Sequence, residues 1–170
     1  MKLEQPIETE RLLIRAQLGT DRDFIVSLWC DEENGAFMNT PVFADLDDEF
    51  LSSFDEMEDD PDGYYLIVER KTTGEPVGTC CIFPEEDAFD IGYCIDKTHW
   101  REGLGNEMLA GMLCWIKDAG GTAVTAEVAD RNAASVGLLT KYGFAPTRAT
   151  RYKKWGGDTV FDAHIFRLNL

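Results

Sequence analysis

Basic residues are scarce in this chain: 16 Lys and Arg stand against 32 Asp and Glu, a formal net charge of -16. This argues against nucleic acid and anionic membrane as partners, because both would be repelled by such a field, and favours a cationic partner. Histidine is nearly missing, with only His99 and His164, far apart in sequence. Neither His/Cys spacing nor a CxxC pair accompanies them, so no metal site is expected. The cysteines do not form a disulfide pattern: Cys30, Cys80, Cys81, Cys94 and Cys114 are odd in number, two are adjacent, and they sit inside apolar runs. They read as reduced core residues of a cytoplasmic protein. No apolar run nears the roughly 18 residues of a membrane span, and the start, MKLEQPIETERLLIR, lacks the apolar centre of a secretory signal. Repeats, low-complexity tracts and Pro/Gly/Ser linkers are also absent. The 170 residues, 44% of them apolar, are therefore expected to form one domain, 1–170.

What is present is an alternation of strand and helix patterns. TERLLIRAQ (Thr9 to Gln17) reads as a strand, followed by a helix opening on Thr20 and Asp21 with Phe24, Ile25 and Leu28 at helical spacing. From Ala44 to Asp62 the chain carries ten carboxylates and no basic residue, while Phe50, Leu51, Phe54 and Met57 recur on one side. This predicts a helix with an apolar stripe and an anionic face, the best candidate surface for drawing in a cation. Tyr64 to Arg70, Val77 to Phe83 and Ala88 to Ile95 read as three antiparallel strands joined by short turns. A helix ending at Gly120 and Gly121 follows, then a strand over Thr122 to Ala129 in which Val124, Ala126 and Val128 alternate with Thr125 and Glu127. A short helix capped by Asn132 and closed by Gly143 leads into two final strands, 144–152 and 159–168. A strand, helix, strand unit in the middle requires a parallel pair. The expected fold class is α+β: a mixed, mostly antiparallel seven-stranded sheet with about four helices.

The loop KTHWREGLGNEM, Lys97 to Met108, joins that unit's first strand to its helix. The first N–H groups of the helix have no partner within it and point into the loop, where they attract anions. Gly103 and Gly105 are expected to bend with positive φ and let a ligand approach, and Arg101 adds a donor for phosphate. Neither a Rossmann motif nor a Walker loop fits, since GLGNEM lacks the third glycine and no Gly-Lys-Ser/Thr is present.

Four stretches in this order resemble the GNAT N-acetyltransferases, and more closely the branch of ribosomal-protein N-terminal acetyltransferases. They are ETERLLIR at 8–15, FDIGYCIDKTHWREGLGNEML at 89–109, NAASVGLLTKYGF at 132–144 and KKWGGDTVFDAHIFRL at 153–168. The resemblance covers nearly the whole chain. It implies a central pair of splayed parallel strands with acetyl-CoA as co-substrate, its pantetheine arm along the edge ending in Cys94 and Ile95. The pyrophosphate would lie on the N–H groups of Arg101, Glu102, Gly103, Leu104, Gly105 and Asn106, while Asn132 and Ser135 would also bind the coenzyme, Ser135 close to the sulfur. Trp100 stands where the superfamily often has Gln or Arg, a departure common in this branch.

Acetyl transfer to an amine needs a deprotonated amine, a donor for the oxyanion and an acid for the thiolate. A lysine-type amine has a pKa near 10.4, so a base helps at neutral pH. The resemblance places that base at Asp90 and the oxyanion donor at a backbone N–H near Cys94 or Ile95. The acid is expected at Ser135, with Tyr142 as a second candidate, because Leu139 occupies the place where many of these enzymes have Tyr. Asn132 and Ser135 also read as ordinary cap residues, and both roles can coexist. The implied function is N-acetyl transfer to a cationic amine such as a peptide N-terminus, polyamine or amino sugar; a homodimer is compatible with it. Two rivals stay open: a domain of the same fold that binds acyl-CoA without turnover, and a Cys–His hydrolase. His99 reads as a loop residue and Trp155 as packing or as the rim of the acceptor mouth.

Overall fold

The computed structural model describes residues 3–42, 46, 48–58 and 60–170. Among them the strands are β1 (Ile7–Glu8), β2 (Leu12–Ala16), β3 (Tyr64–Arg70), β4 (Pro76–Pro84), β5 (Phe89–Ile95), β6 (Ala123–Ala129), β7 (Ala145–Lys153) and β8 (Val160–Asn169). The α-helices are α1 (Arg22–Trp29), α2 (Asp48–Met57), α3 (Leu104–Asp118) and α4 (Ala133–Lys141). All strands join one sheet in the order β1-β2-β3-β4-β5-β6-β8-β7. The sheet has eight strands where seven were expected. The extra one, β1, pairs only through Ile7↔Ile14 and Glu8↔Leu13, too short to leave a two-residue period in the sequence.

Alternation along the strands sorts side chains to two helical layers. Leu66 and Val68 of β3 join α3 residues Met108, Leu109, Met112 and Ile116 in the larger core, while Ile67, between them, joins Ile25 of α1 and Phe50 and Phe54 of α2. Each layer buries one apolar stripe, which is what fixes the helices to opposite faces. The expected stripe of α2 is borne out by Phe50 and Phe54, 6% and 3% exposed. Of the acidic run, Ala44, Asp45, Asp47 and Asp59 lie outside the described residues.

Three local expectations change. The stretch before Leu12 is a turn, in which Thr9 Oγ1 donates to Leu12 O at 3.3 Å and Leu12 N–H donates back at 3.0 Å. Asp21 does not cap α1; its carboxylate accepts from Leu18 N–H at 2.9 Å and pairs with Arg15 at 2.7 Å. Cys114 is exposed on α3, whereas Cys30 and Cys80 are buried thiols as expected.

The pairing that matters most for function is the parallel one. β5 and β6 match only at Phe89↔Val124 and Asp90↔Thr125. β5 then runs on to Ile95 along β4, and β6 to Ala129 along β8. A gap therefore opens between the two strands toward their C-terminal ends. α3 and α4 both begin at that open end.

Candidate active site

The edge of β5 that faces the gap carries free peptide groups. Asp96 N–H donates to Val77 O of β4 at 2.9 Å. Alternate residues of an antiparallel ladder point their backbone groups to the same side, so Cys94 and Gly92 also serve β4 while Tyr93 and Ile95 serve the gap. Ile95 O is taken by the Trp100 indole N–H at 2.7 Å, which leaves the N–H groups of Tyr93 and Ile95 and the Tyr93 carbonyl on the gap edge. Of the two expected β5 positions, Ile95 thus offers its backbone to the gap. Cys94 instead turns its thiol to the other face, toward Asn34 O at 3.8 Å.

The loop after β5 is shaped for an anion. Gly103 adopts φ 80° and Arg101 adopts φ 67°, whereas Gly105 lies within α3 without positive φ. The expected pair of bent glycines is therefore one glycine and one arginine. Holding a non-glycine residue in this region costs about 1–2 kcal/mol, which marks the loop as built for more than connection. A Cβ at Gly105 would meet Leu138 at 3.8 Å and Ile95 at 3.9 Å, ordinary contact distances, so the fold itself does not require glycine there. No side chain caps α3, so its leading N–H groups stay open. Leu104, 1% exposed, anchors the turn in the core.

Around this loop the cations gather in an otherwise acidic protein. Arg11 Nη1 donates to Glu102 O at 3.0 Å, and its Nε pairs with Glu107 at 2.6 Å. Arg70 pairs with Glu102 at 2.7 Å, and His99 Nδ1 lies 3.2 Å from the same carboxylate. Arg70 and His99 together hold the Glu102 carboxyl below its usual range. Lys141 donates to Asn106 Oδ1, and Tyr142 Oη donates to Asn106 O at 2.8 Å. The Tyr142 hydroxyl thus fastens α4 to the start of α3. Sequence reasoning missed Arg11 and Arg70, since nothing in one dimension shows that β2 and β3 end beside this loop.

On α4, Asn132 Oδ1 accepts the Ser135 N–H at 3.2 Å, the cap expected from the sequence. Ser135 then stands at the first turn, on the same side of the sheet as Tyr93. Asp90 lies on the opposite side, at the last paired position of the gap. Its Oδ1 accepts from Thr125 Oγ1 at 2.9 Å. Burial pushes the Asp90 carboxyl up to about 6, with the charges of Glu85 and Glu127 adding to the rise and hydrogen bonds from Thr125 and the Ile91 N–H opposing it. Such a carboxylate is mostly ionised at neutral pH and still a useful proton acceptor. Glu127, exposed on the same face, was also missed; its alternation with Thr125 was legible, but the register that puts it beside Asp90 was not.

The Asp90 face is partly roofed. Lys97 N–H donates to Asn34 Oδ1 at 2.7 Å, Lys154 Nζ donates to Gly35 O at 2.8 Å, and Trp155 N–H donates to Asn39 O at 2.6 Å. The Trp155 ring, 43% exposed, rests 5.9 Å from Phe50, so α2 adjoins this rim. Cys81 and Cys94 are poorly suited to nucleophilic work, because burial pushes both thiols up to about 12. His99 faces Glu102, and His164 Nδ1 lies 2.6 Å from Asp130, so neither histidine serves a thiol. Among the described residues no cluster of metal-ligating side chains is found, and no helix is long and apolar enough to cross a membrane.

Comparison with known proteins adds independent findings. The acetyltransferase (GNAT) domain model matches residues 11–145. An N-acetyltransferase of Bacillus licheniformis, p20, is 28% identical over 175 residues, covering 96% of this chain and 96% of the relative. The spermidine N-acetyltransferase of Vibrio cholerae, solved with CoA and spermine, superposes with a TM-score of 0.78 at 15% identity over 94% of this chain and 95% of that one. A ribosomal-protein alanine acetyltransferase of Vibrio fischeri superposes with a TM-score of 0.72 at 16% identity over 98% and 97%.

Proposed function

Because the chain belongs to the GNAT acetyltransferase family, whose members are acetyl-CoA-dependent N-acetyltransferases, we propose that it acetylates a primary amine of a cationic acceptor by direct transfer in a ternary complex. The pantetheine arm lies along the free edge of β5, and the pyrophosphate meets the loop from Arg101 to Asn106 and the open N-terminus of α3. The acceptor enters from the Asp90 face, where Glu85 and Glu127 add negative charge around Asp90. Its class is a peptide or protein N-terminus, a polyamine or an amino sugar; the solved relatives described above are named for a polyamine and for a ribosomal protein.

In this reading Asp90, directly or through a water, takes a proton from the bound ammonium. The free amine attacks the thioester carbon, and the developing oxyanion is met by the gap-facing N–H of Tyr93 or Ile95. Ser135 protonates the sulfur as CoA leaves. Tyr142, occupied by Asn106 O, keeps the coenzyme loop in register with α4. The observation that carries the reading is the position of Asp90: a half-buried carboxyl, raised to about 6, at the point where the parallel strands part.

Acetyl-CoA is expected to raise the melting temperature, and a basic amine added with it is expected to gain one acetyl group by mass spectrometry. Stabilisation without any acetylated product would favour coenzyme binding without catalysis. The absence of both effects would overturn the reading.

A further inference from the structure

Among the described residues one buried side-chain polar atom has no hydrogen-bond partner, the phenol oxygen of Tyr93. Orphaned hydroxyls are rare in folded proteins, because a phenylalanine would fill the same space without the cost of desolvation. Tyr93 packs against the larger core at the gap, on the side covered by α3 and α4. Ser135 is its polar neighbour there. Burial raises the Tyr93 pKa and the Ser135 hydroxyl, near enough to act on it, draws it down, yet the phenol has no hydrogen-bond partner of ordinary geometry. Asn132 fixes the Ser135 backbone at the start of α4 and leaves its hydroxyl free to turn.

We propose that Tyr93 is a positioning residue of the transfer step: its phenol donates to Ser135 Oγ once acetyl-CoA fills the gap, and so turns the Ser135 proton toward the departing sulfur. The inference rests on the function proposed above. In the step, the carbon–sulfur bond of the tetrahedral intermediate breaks and its electron pair leaves on sulfur. Ser135 gives its Oγ proton to that thiolate, and the proton shed by the new amide nitrogen returns to Ser135 through water. Tyr93 keeps its own proton throughout. A donor held ready but unsatisfied in the free enzyme is stability given up for orientation at the site.

The test is a double-mutant cycle on Tyr93→Phe and Ser135→Ala, with acetyl-CoA and the best basic amine as substrates. Tyr93→Phe should lower kcat roughly tenfold, the worth of one hydrogen bond, with KM for acetyl-CoA little changed and the melting temperature of the free enzyme unchanged or higher. The double variant should be no slower than Ser135→Ala alone, because Tyr93 acts through Ser135. Unchanged kcat in Tyr93→Phe, or losses that multiply, would overturn the proposal. So would a lower melting temperature that accounts for the lost rate, or full activity in Ser135→Ala. Wild-type turnover beside a silent Tyr93→Phe defeats only this inference; a wild type that acetylates no amine defeats the proposed function and the inference with it.

Discussion

Thr125 Oγ1 donates its 2.9 Å hydrogen bond to Asp90 Oδ1 at the last residue pair that β5 and β6 share. The carboxylate is thus held at the point where the sheet opens, by a partner from the strand that is about to leave. The bond favours the charged form, so its loss should raise the Asp90 pKa further. Thr125→Val, at a position 8% exposed, should move the acid limb of kcat/KM to higher pH with little change in coenzyme binding. An unmoved limb would mean that a group other than Asp90 titrates.

Removing the carboxylate itself has two expected signs. Asp90→Asn should lower the rate by about a hundredfold at neutral pH, and the deficit should narrow as pH approaches the amine's own value near 10.4. Stability should change the other way. The folded value of about 6 exceeds the unfolded 3.8, so ionising Asp90 disfavours the fold. The cost is absent below the unfolded value and complete above the folded one. The two-unit difference corresponds to at most ~3 kcal/mol. Asp90→Asn should therefore melt higher than wild type at about pH 8 and match it near pH 3 to 4. Melting curves at both pH values check this.

The Glu127 charge, on the strand that pairs with β5 at Asp90, repels that of Asp90. Glu127→Gln should let the Asp90 pKa fall and carry the acid limb of kcat/KM to lower pH. If Glu127 also meets the incoming ammonium, KM for a cationic acceptor rises severalfold, and the rise shrinks with salt. A neutral aromatic amine as acceptor should show no such rise.

Strain and charge in the proposed coenzyme loop can be separated. Arg101→Gly removes both the positive-φ strain and the cation, so the free protein should gain about 1 kcal/mol of stability while coenzyme affinity falls. Gly103→Ala imports strain at φ 80°, where the nearest atom to a new Cβ, Arg11 Nη2, is 3.6 Å away. It should lose about 1 kcal/mol of stability, and binding should weaken without an added salt dependence. Thermal melts and coenzyme titrations at two ionic strengths distinguish the two.

Much of this architecture is legible in the sequence, for local reasons. The Tyr64–Arg70 strand, the Asn132 cap and the Gly143 stop are written in neighbouring residues, and each appears where expected. The apolar stripe of α2 is equally local. What one dimension does not carry is register. The alternation of Thr125 and Glu127 is visible, but only the Asp90↔Thr125 pairing brings Glu127 near the proposed base, Asp90. Arg11 and Arg70 reach the coenzyme loop because β2, β3 and β4 align there, and the orphaned Tyr93 hydroxyl exists only once α4 is packed over the gap. The two-glycine loop was read from composition, yet its geometry gives positive φ to Arg101 and helix to Gly105.

The central claim is transfer from acetyl-CoA to a cationic amine with Asp90 as base. Thiol release from acetyl-CoA, followed for wild type and Asp90→Asn with polyamines, amino sugars and short peptides with free N-termini, tests it most directly. The account predicts amine-dependent release by the wild type, strongest with cationic acceptors and about a hundredfold slower in Asp90→Asn at neutral pH. No amine-dependent release, or release that Asp90→Asn leaves unchanged, would contradict it.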